Sequence, residues 1–76
     1  MTLPRVDVEA TGLRIDNLRL NAGMTVRDLQ DAFGFECPQT IYKWIRGKGM
    51  PNLDNLIALA YIFHTTVDEI VAIEDE

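Results

Sequence analysis

The chain has 76 residues, 47% of them hydrophobic and 25% charged, which suits one domain with a modest core and excludes a disordered polyelectrolyte. Its longest apolar run, Leu56 to Phe63, is too short to cross a bilayer, no apolar leader follows Met1, and the lone Cys37 has neither a disulfide partner nor metal-ligand spacing around it. A cytoplasmic protein without metal or cofactor is expected, and its net charge of −5 at first argues against nucleic acid.

The distribution of that charge argues otherwise. Residues 14–48 hold Arg14, Arg19, Arg27, Lys43, Arg46 and Lys48 against Asp16, Asp28, Asp31 and Glu36, for a net +2. From residue 49 onward there is no base, and Asp54, Asp68, Glu69, Glu74, Asp75 and Glu76 give −6. Between Cys37 and Leu53 lie three cations and no anion. A molecule polarised in this way can present its basic part to DNA and keep its acidic end away.

In chain order, residues 1–7 read as an extended N-terminal arm, because Pro4 is incompatible with a helix interior. Asp7 is a plausible N-cap, and a first helix from about Val8 to Asn21 buries Val8, Ile15 and Leu18 and stops at Gly23. Gly12 inside that helix costs up to about 1 kcal/mol relative to alanine, so a close helix contact is expected there. Thr25 caps a second, short helix with Asp28 three residues on, and Val26, Leu29 and Phe33 form its buried stripe before Gly34.

After the turn Phe35-Glu36-Cys37, Pro38 opens a third helix in the first position, and Gly47 closes it. Ile41, Trp44 and Ile45 share one side of it by their i, i+3, i+4 spacing. Gln39, Tyr42, Lys43 and Arg46 share the other, which carries an amide, a phenol, an ammonium and a guanidinium but no carboxylate. A helix apolar beneath and neutral-to-basic above can lie in a DNA major groove. Helix 38–46 is therefore the candidate recognition helix.

Asn52 caps a fourth helix from Leu53 to about Phe63, with Leu53, Leu56, Ile57 and Ala60 as its inner stripe and further apolar surface from Leu59, Tyr61, Ile62 and Phe63. His64 follows as a structural C-cap, since histidine tolerates the left-handed conformation better than most residues. Thr66-Val67-Asp68-Glu69 reads as a full capping box for a short fifth helix that turns Val67, Ile70 and Val71 inward. The core spans residues 8–72 and residues 73–76 form an acidic tail, of which Glu74-Asp75-Glu76 is expected to fray.

With these residues in place, the stretch from about Gly12 to Val71 resembles the lambda-repressor-like, or Xre/Cro-like, family of bacterial and phage DNA-binding proteins. The resemblance is carried by Ile15, Leu18 and Arg19 before Gly23, and by Thr25 and Leu29 before Gly34. It continues through Ile41 and Trp44 with Arg46-Gly47-Lys48, Pro51 with Leu53, Leu56, Leu59 and Ala60, and Thr66 to Ile70. The form Gly-Phe-x-x-Pro-Gln-x-Ile-Tyr-Lys-Trp is similar to a subgroup of small stand-alone regulators. The resemblance implies an all-α, compact five-helix domain containing a helix-turn-helix. It also implies base contacts from Gln39, Thr40 and Lys43, with Gln suited to adenine and Lys to guanine. Backbone contacts are implied for Thr25, Arg27, Tyr42, Arg46 and Lys48, aided by the N–H groups of the 47–49 loop and the N-terminus of the second helix.

Four departures bear on docking. Val26 stands where the family usually has glutamine, Gln30 where a small alanine is usual, and Ile45 where a glutamate is usual. The turn is also one residue longer than the commonest form. Without that glutamate, Arg19 is expected to seek Asp28, Asp31 or a phosphate.

The sequence holds no serine, and Cys37 and His64 have no evident catalytic partner, so an enzyme is not expected. The functional expectation is sequence-specific duplex-DNA binding as a transcriptional regulator, a repressor, on a palindromic operator. The apolar Leu59, Ile62, Ile70 and Ile73 are candidates for a homodimer contact. The rival expectation is a protein-interaction module on the same fold, antitoxin-like or an anti-regulator partner, favoured by the acidic balance, Val26 and Gln30.

Overall fold

The computed structural model describes residues 2–74, so Met1 of the arm and Asp75-Glu76 of the tail lie outside the described residues. Among the described residues the fold is all-α, with five helices: α1 (Val8–Asn21), α2 (Val26–Phe33), α3 (Gln39–Ile45), α4 (Leu53–Ile62) and α5 (Val67–Ile70). To these are added two short antiparallel strands from opposite ends of the chain, β1 (Arg5–Val6) and β2 (Ile73–Glu74).

Arg5 and Val6 are extended as expected, and their pairing corrects the expectation of a frayed tail at Glu74. Val6 faces Ile73 and Arg5 faces Glu74, an apolar pair and an opposite-charge pair of the kind that stabilises antiparallel neighbours. The join is reinforced beside it. Asp7 donates its N–H to the Ala72 carbonyl at 2.9 Å, and the Ala72 N–H donates to the buried Thr11 hydroxyl at 2.9 Å. Arg14 adds hydrogen bonds to the carbonyls of Glu69 and Val71 at 3.4 and 3.1 Å. The two strands are thus tied to α1 and to the end of α5.

α1 begins where expected, with the Asp7 carboxylate accepting from the Ala10 N–H at 3.0 Å. It buries Thr11, Gly12 and Ile15, while Val8 and Leu18 are half-buried. The close contact anticipated at Gly12 is the crossing of α1 over the end of α3. A Cβ at Gly12 would run into the Trp44 carbonyl oxygen and lie 2.7 Å from that of Ile45. Only a residue without a side chain permits this approach.

Arg19 meets neither Asp28 nor Asp31. Its guanidinium takes Asp16 one turn back, at 2.7 Å, and donates to the Met24 carbonyl at 2.8 Å. The nearer carboxylate on its own helix satisfies it, and the second bond pins the α1–α2 turn.

The capping box of α2 is complete. Thr25 Oγ1 accepts from the Asp28 N–H at 3.0 Å and the Asp28 carboxylate accepts from the Thr25 N–H at 2.8 Å. Gly34 ends α2 with φ 72°, and the larger Gln30 turns out to serve the turn, its amide donating to the Phe35 carbonyl at 3.2 Å. Pro38 sits one place before the first helical residue, its carbonyl accepting the Tyr42 N–H at 3.1 Å. Phe33 and Phe35 stack at 5.1 Å between centroids, and Trp44 meets both edge-on at 5.6 and 6.0 Å. This aromatic cluster locks α2, the turn and α3 together, since such offset and edge arrangements satisfy the ring quadrupoles.

The core joins Ile15, Leu29, Ile41, Trp44, Leu56, Leu59, Ala60 and Ile70. On α4 the expected stripe is rotated. Leu53 is 67% exposed and Ile57 55%, whereas Leu56, Leu59 and Ala60 face inward. Leu59 and Ile70 are fully buried, so neither can belong to a dimer surface. Ile62 is half-buried, and Ile73 is exposed on β2. His64 takes φ 55°, as a left-handed cap should. The cap of α5 is only half formed: Thr66 Oγ1 accepts from the Glu69 N–H at 3.3 Å, and no return bond from the Glu69 carboxylate is made.

Candidate nucleic-acid interface

α3 is welded to the core by Ile41 and Trp44, 0% and 3% exposed, with Ile45 half-buried beside them. Its opposite side is open. Gln39, Thr40, Lys43, Arg46 and Lys48 are exposed, and Tyr42 is at the margin of exposure at 37%. Gln39, Tyr42, Lys43, Arg46 and Lys48 together line a shallow concavity of about 300 Å³. Thr40 is exposed but lies off it, Arg27 belongs to α2 and Thr25 caps that helix.

The electrostatics of this face are unopposed. Among the described residues the ion pairs are Arg19–Asp16 and Arg27–Asp31, so Lys43, Arg46 and Lys48 have no carboxylate partner. The Arg27–Asp31 contact, at 3.4 Å between side chains 77% and 68% exposed, is weak enough in water to be exchanged for another anion. Arg46 is stacked over the Tyr42 ring, its guanidinium carbon 4.9 Å from the centroid.

Two expected backbone donors are already committed. The Gly47 N–H donates to the Trp44 carbonyl at 3.1 Å and the Lys48 N–H to the Lys43 carbonyl at 2.8 Å, closing the end of α3 around Gly47 at φ 70°. They cannot also hold phosphates, which corrects that part of the expected loop contact. At the N-terminus of α2 the Asp28 carboxylate takes the Thr25 N–H, which sets a negative charge beside that helix end. Thr25 Oγ1 accepts there and retains its hydroxyl proton as a donor.

Sequence reasoning missed two neighbours of the face. Glu9 packs against the closing loop, with its Cα 2.8 Å from where a Gly47 Cβ would stand, a long-range contact without a sequence signal. The Tyr42–Arg46 stack had one, the i, i+4 spacing of an aromatic and an arginine.

Chemically, the face offers an amide, two ammonium groups, a stacked guanidinium and a phenol on a rigid helix. These are donors for base edges and phosphates, and no carboxylate lines the concavity itself. Two short helices joined through a left-handed Gly34, the second bearing such a face, define a helix-turn-helix protein. A family model described as helix-turn-helix matches residues 15–70. The chain belongs to this Xre/lambda-repressor-like family of DNA-binding regulators. No curated protein and no solved structure matches it. No helix of the described residues is long and apolar enough to cross a membrane.

Proposed function

We propose that the protein is a sequence-specific transcriptional repressor that lays α3 in the major groove of duplex DNA. The observation that carries this reading is the carboxylate-free concavity of Gln39, Tyr42, Lys43, Arg46 and Lys48 on a helix whose other side is fixed in the core. Gln39 and Lys43, one turn apart, are assigned to base edges, with Thr40 beside them at the start of α3. Lys48, Arg27 and the Thr25 hydroxyl are assigned to phosphates. Repression follows from occupying a promoter, for which this chain needs no further activity.

One seven-residue helix reads too few base pairs to select a site in a genome, so two copies on a palindrome, with half-sites about 34 Å apart, complete the proposal. The second copy is met through Leu53, Ile57 and Tyr61 of α4. These lie at i, i+4 and i+8 and are 67%, 55% and 82% exposed, with Asp54 as the sole charge on that helix. A two-fold axis at Ile57 places Leu53 of one copy against Tyr61 of the other.

Selection from random duplex DNA at several salt concentrations, followed by sequencing, tests the reading. A palindromic motif weakened by salt and lost in the Gln39→Ala/Lys43→Ala variant is expected. Failure to retain DNA at low salt would refute it. That result would favour the protein-interaction alternative, for which the exposed α4 stripe is the supporting observation.

A further inference from the structure

Arg46 was expected on a phosphate, yet its geometry suits a different task. The side chain does not extend beyond the end of α3. It folds back one turn to lie over Tyr42, toward the N-terminal end of the helix. Helical side chains lean that way, and the N-terminal part of a recognition helix is the part that reaches base edges. The fold-back also places Arg46 in the same concavity as Gln39 and Lys43.

Stacking does more than turn the side chain. With its guanidinium carbon 4.9 Å from the Tyr42 ring centroid, Arg46 is in cation–π range, which restrains the side chain while leaving its N–H groups to donate. A phosphate can also take two parallel guanidinium donors, so what favours a base edge is where the side chain lies, beside Gln39 and Lys43 rather than past the end of α3. Guanine O6 and N7 are matched by two parallel donors, and an arginine already restrained over a ring loses less side-chain freedom on binding. Arg46 has no carboxylate among the described residues to draw it away.

We propose that Tyr42 is a positioning residue that presents Arg46 to a guanine, so that the base-reading set is Gln39, Lys43 and Arg46. This deepens the DNA-binding reading above and rests on it. It predicts one base pair of the half-site at which guanine is selected because of the stack.

The test is selection from random duplex DNA with the full chain and its Tyr42→Phe, Tyr42→Leu, Arg46→Lys and Arg46→Ala variants. Helical circular dichroism confirms that each is folded, as exposed positions should allow. Tyr42→Phe keeps the stack and should keep the motif. Tyr42→Leu and Arg46→Lys keep the charge, so their salt slopes should match that of the unaltered protein. Tyr42→Leu should weaken guanine selection at one position, by up to the roughly 5- to 150-fold discrimination of one bidentate pair, and Arg46→Lys, which keeps a donor for guanine but loses the planar fork, should weaken it less. Other positions should stay as they were.

The inference is overturned if Tyr42→Leu selects the unaltered motif. It is equally overturned if Arg46→Ala weakens all sequences alike and lowers the salt slope by about 1, the behaviour of a phosphate contact. In either case DNA binding itself survives. If the unaltered protein retains no DNA, the DNA-binding reading falls and takes this inference with it.

Discussion

Gly12→Ala sets two physical effects of opposite sign against each other. By helix propensity alone, alanine in the middle of α1 should stabilise the fold by about 1 kcal/mol. By packing, the new methyl meets two backbone carbonyls, those of Trp44 and Ile45, which cannot rotate aside as a flexible side chain would. Bringing the Ile45 oxygen from 2.7 Å to ordinary van der Waals distance requires α1 and α3 to part by about half an ångström to one ångström, a gap that forfeits a quarter to a half of the dispersion energy of each contact it opens. Overpacking of this kind costs about 1–3 kcal/mol and sometimes more; with two carbonyls opposed we take the upper part of that range, about 2–4 kcal/mol. The net expectation is a loss of about 1–3 kcal/mol. Urea unfolding followed by circular dichroism measures it, and for a chain of this size each kcal/mol lowers Tm by about 4–8 °C. A variant as stable as the parent, or more stable, would show that α3 yields without cost and that the crossing does not require glycine. Because α3 carries the candidate interface, the displaced variant should also bind DNA more weakly while still folded.

Leu59→Ala should cost about 2–5 kcal/mol, as a fully buried leucine, whereas Ile57→Ala should change monomer stability by less than about 0.5 kcal/mol; equal effects in urea titrations would contradict the observed rotation of α4. Ile57→Asp should leave the fold intact but shift sedimentation equilibrium to the monomer and weaken binding to a palindrome far more than to a half-site. Loss of the Thr25 cap in Thr25→Ala should lower stability by about 1 kcal/mol, and an unchanged urea midpoint would mean that Asp28 caps α2 alone.

The fold was legible where a position has one physical solution. A glycine amid a helical pattern at Gly12, a left-handed residue at Gly34 and Gly47, and a Thr25–Asp28 box each announce a local geometry, and the structure has all of them. The two faces of α3 were legible because its aliphatic and indole side chains, Ile41, Trp44 and Ile45, fall on one side and its polar ones on the other. α4 was not, because Leu53, Leu56, Ile57, Leu59, Ala60 and Tyr61 are apolar nearly all round, so periodicity leaves its phase undetermined. What turns Leu59 inward and Ile57 outward is the position of the other helices. The β1–β2 pairing was illegible for another reason: two-residue strands have no period, and their partners lie at opposite ends of the chain. Arg19 and Gln30 found local partners, Asp16 and the Phe35 carbonyl, that analogy with the family did not suggest.

The committed backbone donors bear on how the protein would hold DNA. The Asp28 carboxylate sits at the positive end of α2 and holds the Thr25 N–H, and the N–H groups of Gly47 and Lys48 close α3. The phosphate grip therefore falls on side chains, chiefly Arg27 and Lys48, and neutralising about two phosphates per copy gives a salt slope near −2 per copy and near −4 for a pair. So thin a grip makes the occupancy of the α2 N-terminus matter. Asp28→Asn keeps a side chain able to cap while removing a negative charge from the helix end where a phosphate would approach. The variant should bind DNA more tightly at low salt, by the factor of about 2–5 that corresponds to roughly 0.3–1 kcal/mol at a helix terminus, with the advantage vanishing as salt rises. Binding isotherms at low and high salt decide it. If the asparagine variant binds no better than the parent at low salt, the α2 N-terminus does not face the DNA backbone, and Thr25 and Arg27 leave the set of contacts.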